Sequence, residues 1–103
     1  MNIVDRAMLN FELDVTEEQS FPVAEYRVTV MPDEEPHTTH EVTLTEEYWQ
    51  KLTGGKMSGQ DLIEATFEFL LQRESNEAIM RKFDLAEVAD YYPEFENEIL
   101  RRY

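Results

Sequence analysis

Apolar and polar residues alternate along three stretches in the first half of the chain. In the third stretch, Val42 and Leu44 alternate with threonine and glutamate. Successive side chains of a strand point to opposite faces of a sheet, so this pattern predicts strands with one buried face each. The connections between the three stretches are short, which favours an antiparallel meander. The predicted strands span about residues 9–15, 23–31 and 39–45.

The second half of the chain shows the period of α-helices. Thr45 and Ser58 are good N-cap residues, and apolar residues at helical spacing follow each of them. Gly54 suits the left-handed conformation in which the first of these helices would end. Phe69 lies off the apolar stripe that follows Ser58, so the second helix is expected to contact a second surface there. The predicted helices span about residues 46–53, 59–74, 77–90 and 93–102.

Strands followed by helices indicate an α+β fold, in which the N-terminal meander packs on the C-terminal helices. The length of 103 residues predicts a single domain over residues 1–103. The content of 42% hydrophobic and 12% aromatic residues is typical of a folded protein and not of a disordered one.

The stretch from His40 to Arg73 contains a predicted strand, a short helix, a glycine turn and a longer apolar helix. This order resembles the ribbon-helix-helix fold over about a third of the chain. The resemblance implies a dimer in which the strand pairs with its copy in a second protomer and its outward residues contact bases. By position these residues are Glu41, Thr43 and Thr45. None of them is basic, and Glu41 would repel phosphate, so the resemblance implies fold and dimer without supporting the DNA-binding activity.

Charge is the most pronounced feature of the composition. The chain has 23 acidic and 9 basic residues and a formal net charge of −14. Such a field repels nucleic acid and anionic membranes and favours a basic protein partner. An acidic surface also suits a protein that works in high salt, where the charge is screened, and both interpretations stay open.

Other sequence features restrict the location and the chemistry. No apolar run approaches the ~18 residues of a membrane-spanning helix. The chain has no cysteine, which excludes disulfides and thiolate metal sites and favours a cytoplasmic location. We expect no membrane association.

His37 and His40 are the weak metal candidates. Histidine and carboxylate are zinc ligands, and glutamates flank this pair. Those carboxylates are expected to raise the pKa of the histidines. Two rings three residues apart in a loop that enters a strand need not converge, however, so the alternative is a pair of exposed histidines. The sequence also lacks a nucleophile elbow and a phosphate-binding glycine loop, and it predicts no catalytic residue, no cofactor and no enzymatic activity.

The sequence therefore predicts a small acidic, non-enzymatic interaction or regulatory module that acts through protein–protein contacts. A homodimer is expected, since a small core and uncovered sheet edges favour association. The alternatives are a ribbon-helix-helix DNA-binding regulator or antitoxin, a DNA mimic whose carboxylates imitate phosphates, and a metal-dependent enzyme built on the two histidines. The candidate interface residues are Val42, Leu44, Trp49 and Phe69.

Overall fold

The computed structural model describes residues 11–101, which form a four-stranded sheet followed by helices. This arrangement confirms the predicted α+β class. The strands are β1 (Phe11–Gln19), β2 (Val23–Pro32), β3 (Thr38–Thr45) and β4 (Lys82–Asp84). The helices are α1 (Glu46–Thr53), α2 (Gly59–Leu71), α3 (Val88–Tyr91) and α4 (Phe95–Leu100), and 3₁₀ turns span Asn76–Ala78 and Leu85–Glu87.

The first three strands form the predicted antiparallel meander, in the sheet order β1-β2-β3-β4. The register pairs Val15 with Val28, and Tyr26 with Val42. Apolar side chains of neighbouring strands therefore lie on the same face of the sheet, as the period of two requires. The beginning predicted for the first strand, at residue 9, lies outside the described residues.

The caps of α1 and α2 form as their sequences predict. The Thr45 hydroxyl accepts a hydrogen bond from the backbone N–H of Tyr48 at 3.1 Å, and the Ser58 hydroxyl accepts one from Asp61 at 3.0 Å. Gly54 ends α1 with φ 63°, a left-handed conformation that glycine adopts without a Cβ clash. The bounds of α1 match the prediction, and α2 ends at Leu71, before the predicted residue 74.

The prediction of one continuous helix over residues 77–90 is wrong, and only residues 88–90 are α-helical, as the start of α3. The segment contains β4, which pairs with β3 in parallel, between two short 3₁₀ turns. Phe83 lies opposite Val42 and is buried, and the N–H of Glu41 donates to the carbonyl of Arg81 at 2.7 Å. Three residues are too few to establish a period of two, so long-range pairing with β3 determines the strand conformation of this segment. Of the helix predicted over 93–102, residues 95–100 are helical as α4, and residue 102 lies outside the described part.

Helix α2 is buried from two sides. Phe67 packs between His40 and Phe83, with ring centroids 5.4 and 6.1 Å away. Phe69 points to the C-terminal helices, where its ring lies 5.2 Å from that of Phe95. The predicted contact of Phe69 with a second surface is thereby confirmed. No helix within residues 11–101 is long and apolar enough to cross a membrane.

Candidate functional site

The face of the sheet opposite the helices is polar and at least partly exposed to solvent. Its side chains alternate along the strands with the core residues, so the strand period places them together. We call this surface the open face. By strand parity it carries six carboxylates and two cations within the described strands, a net charge of −4. These residues and the threonines between them are Glu12, Asp14, Thr16, Glu18, Glu25, Arg27, Thr29, Thr39, Glu41, Thr43, Lys82 and Asp84.

Arg27 lies at the centre of the open face between two carboxylates. Its Nη2 donates to Glu18 Oε2 on β1, and its Nε lies 3.8 Å from Glu41 Oε2 on β3. Glu41 in turn lies opposite Lys82 in the register with β4. Charges of alternating sign therefore cross the four strands in one row. Exposed ion pairs of this kind add little to stability, so we expect the row mainly to hold its side chains in place.

The surroundings of Glu41 disfavour its ionised form. The pKa of Glu41 is raised above its ordinary value, first by partial burial, and then by a hydrogen bond and like charge from Glu18. The charge of Glu25 acts in the same direction, and that of Arg27 opposes it. Glu25, Glu41 and Lys82 also line a depression in the sheet surface. An additional cation placed there would lower the free energy of the ionised carboxylates.

The two candidate histidines lie in different environments. His37 is exposed, whereas His40 is fully buried and directed into the core. His40 Nδ1 lies 2.8 Å from the Met80 carbonyl, and Nε2 lies 2.8 Å from the Thr38 hydroxyl. Because a carbonyl only accepts, Nδ1 carries the proton and Nε2 accepts from Thr38. Within residues 11–101 no three potential metal-ligating side chains cluster.

The expected increase in the histidine pKa is wrong for His40. Its pKa is lowered, chiefly by burial. The charge of Arg81 adds to this decrease, and the hydrogen bond to Met80 opposes it. The glutamates that are neighbours in sequence lie on the other side of the strand or in the preceding turn. Burial therefore determines the direction of the pKa shift of His40.

Three of the four candidate interface residues lie inside the protein. Val42, Leu44 and Phe69 are at most 1% exposed and belong to the core. In this structure they offer no surface to a partner. Trp49 is half-buried, and its Nε1 donates to the Met57 carbonyl at 2.7 Å. Its ring packs on Phe21 with a centroid distance of 4.8 Å, so its visible contacts are intramolecular.

The ribbon pairing implied by the family resemblance does not fit this sheet. Strand β3 is hydrogen-bonded to β2 along one edge and to β4 along the other. It therefore has no free edge over residues 41–43 for a copy of itself. Glu41 and Thr43 do point outward as predicted, whereas the hydroxyl of Thr45 caps α1.

A second concave site lies on the helix side of β4, and the sequence did not reveal it. This C-terminal cavity has a volume of about 260 Å³. Its walls come from the end of α2 and from the segment wrongly predicted as one helix, which is why periodicity missed it. Two of its residues are unusually exposed for apolar side chains, Met80 at 37% and Tyr91 at 65%. The lining residues are Leu70, Glu74, Ala78, Ile79, Met80, Phe83, Val88, Tyr91 and Tyr92.

Comparison of the chain with family models, with curated proteins and with solved structures finds no match. A fold can host many unrelated functions, so function has to be inferred from particular sites. The open face and the C-terminal cavity are the two surfaces from which we infer it.

Proposed function

We propose that the protein is a small non-enzymatic interaction module that binds a basic segment of a partner protein on the open face. The observation that carries this proposal is the excess of carboxylates on the open face, where Glu18 and Glu41 both pair with Arg27 and, within residues 11–101, the other carboxylates have no cation in the row. Like charge from Glu18 and Glu25 contributes to the raised pKa of Glu41. A lysine or arginine of a partner would offset the remaining negative charge of the open face.

The chemistry of the open face determines the kind of binding. Glu12 and Asp14 stand two residues apart on one strand, which separates them by about 7 Å. Basic residues at alternate positions of an extended segment have the same spacing. Threonine hydroxyls beside the carboxylates, at Thr39 and Thr43, add hydrogen-bonding groups. Because the face carries few apolar side chains, charge steers the association, which should be fast and sensitive to salt.

The same face argues against the two nucleic-acid alternatives. A net negative surface repels phosphate, so it does not support a DNA-binding regulator. A DNA mimic needs rows of carboxylates without interruption, and here Arg27 and Lys82 interrupt the row across the strands. A basic protein segment matches the net negative charge of the face.

A homodimer, if it forms, is proposed to use a different surface. Two copies of the open face would repel each other because both are acidic. The outer edge of β1 is one alternative, since it pairs with no strand among residues 11–101 and free edges associate readily. A cytoplasmic location is also part of the proposal and is supported by the sequence without cysteine.

The test is the binding of a short peptide of alternating lysine and threonine to the whole chain, measured by calorimetry. We expect affinity to fall steeply between about 0.01 and 0.15 M salt, over which the Debye length shortens from about 30 to about 8 Å. The double substitution Glu25→Gln and Glu41→Gln should weaken binding strongly. The matched control is Glu34→Gln with Glu35→Gln, which makes the same change of charge in the turn after β2. Equal losses in both variants would show that only net charge matters and would overturn the assignment to the open face.

A further inference from the structure

The C-terminal cavity combines an apolar body with one charged group. Glu74 is the only charged residue among those that line it. The Tyr92 hydroxyl donates to Glu74 Oε2 at 2.8 Å and holds the carboxylate at the wall. The pKa of Tyr92 is raised, first by burial and then by this hydrogen bond. The Tyr92 hydroxyl therefore remains a donor near neutral pH.

We propose that this cavity binds a small organic cation, an ammonium group carried on an aromatic or short aliphatic body. The body would occupy the apolar walls formed by Leu70, Ile79 and Val88. The ammonium group would lie near Glu74 and the tyrosine rings, since aromatic faces attract cations. This site is independent of the open face, because Phe83 of β4 points to the cavity while Lys82 points to the open face.

Size and charge select this class of ligand. The cavity of about 260 Å³ exceeds the ~150 Å³ that holds benzene and falls just below the range of ~300–1,000 Å³ typical of drug-sized ligands. One ring with a short arm is therefore of suitable size. The net charge of −14 and the carboxylate at the wall both disfavour anions. Arg73, the cation next to Glu74 in the chain, is already paired with Glu94 at 3.3 Å.

Three probes that share one body test the proposal: 2-phenylethylamine, 2-phenylethanol and 3-phenylpropionate. They carry a cation, a neutral hydroxyl and an anion on the same ring and arm. The titrations are monitored through the NMR signals of the Met80 methyl group and the Tyr91 ring. They should give the tightest binding for the amine. We expect roughly tenfold weaker binding of the alcohol, and no saturable binding of the carboxylate. Equal affinities for all three probes would overturn the proposal.

The substitution Glu74→Gln keeps an acceptor for Tyr92 and removes the charge. It should reduce amine affinity to that of the alcohol and leave alcohol affinity unchanged. Glu77→Gln, an exposed neighbour outside the cavity, makes the same charge change and should leave amine binding nearly unaffected. Amine binding that survives Glu74→Gln would contradict the proposal. So would a dimer in which the Met80 and Tyr91 signals show contact with a second copy, because that copy would then be the occupant.

Discussion

Gly59, the first residue of α2, lies so close to the hydroxyl of Tyr26 that no side chain fits between them. A Cβ added at Gly59 would overlap Tyr26 Oη and would lie only 3.3 Å from its Cζ and 3.4 Å from Phe21 Cζ. Tyr26 is 1% exposed, and its hydroxyl donates to Glu17 Oε1 at 3.2 Å. The ring is therefore held by the core and cannot easily yield. The close approach of α2 to the sheet at this point depends on glycine.

The substitution Gly59→Ala is expected to lower the free energy of unfolding by about 1–3 kcal/mol, the usual cost of overpacking a close contact. Urea denaturation followed by circular dichroism measures this difference. In the Tyr26→Phe background the cost should shrink, because the overlapping hydroxyl is absent. If alanine costs the same in both backgrounds, the contact with the hydroxyl is not the cause.

His40 predicts how stability depends on pH. Its pKa is below the ordinary 6.5 in the folded chain and returns to that value on unfolding, so the unfolded state binds the proton more tightly. Above pH 6.5, His40 should contribute no dependence of the free energy of unfolding on pH. It should decrease as the pH falls from 6.5 towards the lowered pKa. Thermal or urea unfolding between about pH 5 and 7, above the range of most carboxylates, measures the effect.

Two histidine variants isolate this contribution. His40→Gln replaces the imidazole with a side chain that does not titrate, so the loss of stability assigned to His40 should disappear, although the variant itself is less stable. His37→Gln removes the exposed histidine and should keep the dependence. A wild-type curve that rises on acidification between pH 6.5 and 5 would contradict the sign.

The two halves of the fold differ in how far local sequence determines them. The meander and α1 were predictable because each has at least seven residues with a clear period, a cap or a turn. The segment after Ser75 was not, because its elements are three to six residues long. Its conformation depends on contacts that are distant in sequence. Asn76 Nδ2, for example, donates to the carbonyl of Pro36 at 3.0 Å and to the hydroxyl of Thr38 at 2.9 Å.

The same limit applies to the candidate sites. The open face follows from strand period alone, so the outward position of Glu41 was predictable. The burial of His40 was predictable only from its parity with Val42 and Leu44, which the neighbouring glutamates obscured. The C-terminal cavity requires Glu74 and Tyr92 to meet across 18 residues, and no local pattern indicates such a contact.

A substitution at Trp49 tests whether this half-buried side chain serves stability or assembly. The substitution Trp49→Phe removes the hydrogen bond to Met57 and should lower the free energy of unfolding by about 1 kcal/mol. The oligomeric state, measured by light scattering, should not change. Tyr48→Phe is the matched control, since it removes one hydroxyl bond, to Glu96 at 2.8 Å, and should cost a similar amount. A change of assembly in Trp49→Phe alone would restore this residue as an interface candidate.

Glu41 gives the most direct measurement of excess charge on the open face. Its pKa, followed by NMR of the side-chain carboxyl carbon, should lie above the ordinary 4.5. Glu18→Gln should bring the pKa closer to 4.5 by removing a like charge, whereas Arg27→Gln should raise it further. Because burial and the like charge of Glu18 both favour the protonated form in the folded state, this group should add stability as the pH falls through its raised pKa towards 4.5.

The same signal connects the charge to the proposed function. A lysine of the bound peptide placed near Glu41 would favour the ionised form, so peptide binding should lower the pKa of Glu41 in the wild type. Glu34 lies in the turn after β2, remote from the row. Glu34→Gln should therefore leave both the pKa of Glu41 and its decrease on binding intact. If the peptide binds and the pKa of Glu41 does not change, the peptide occupies another part of the acidic surface, and the open face is not its site.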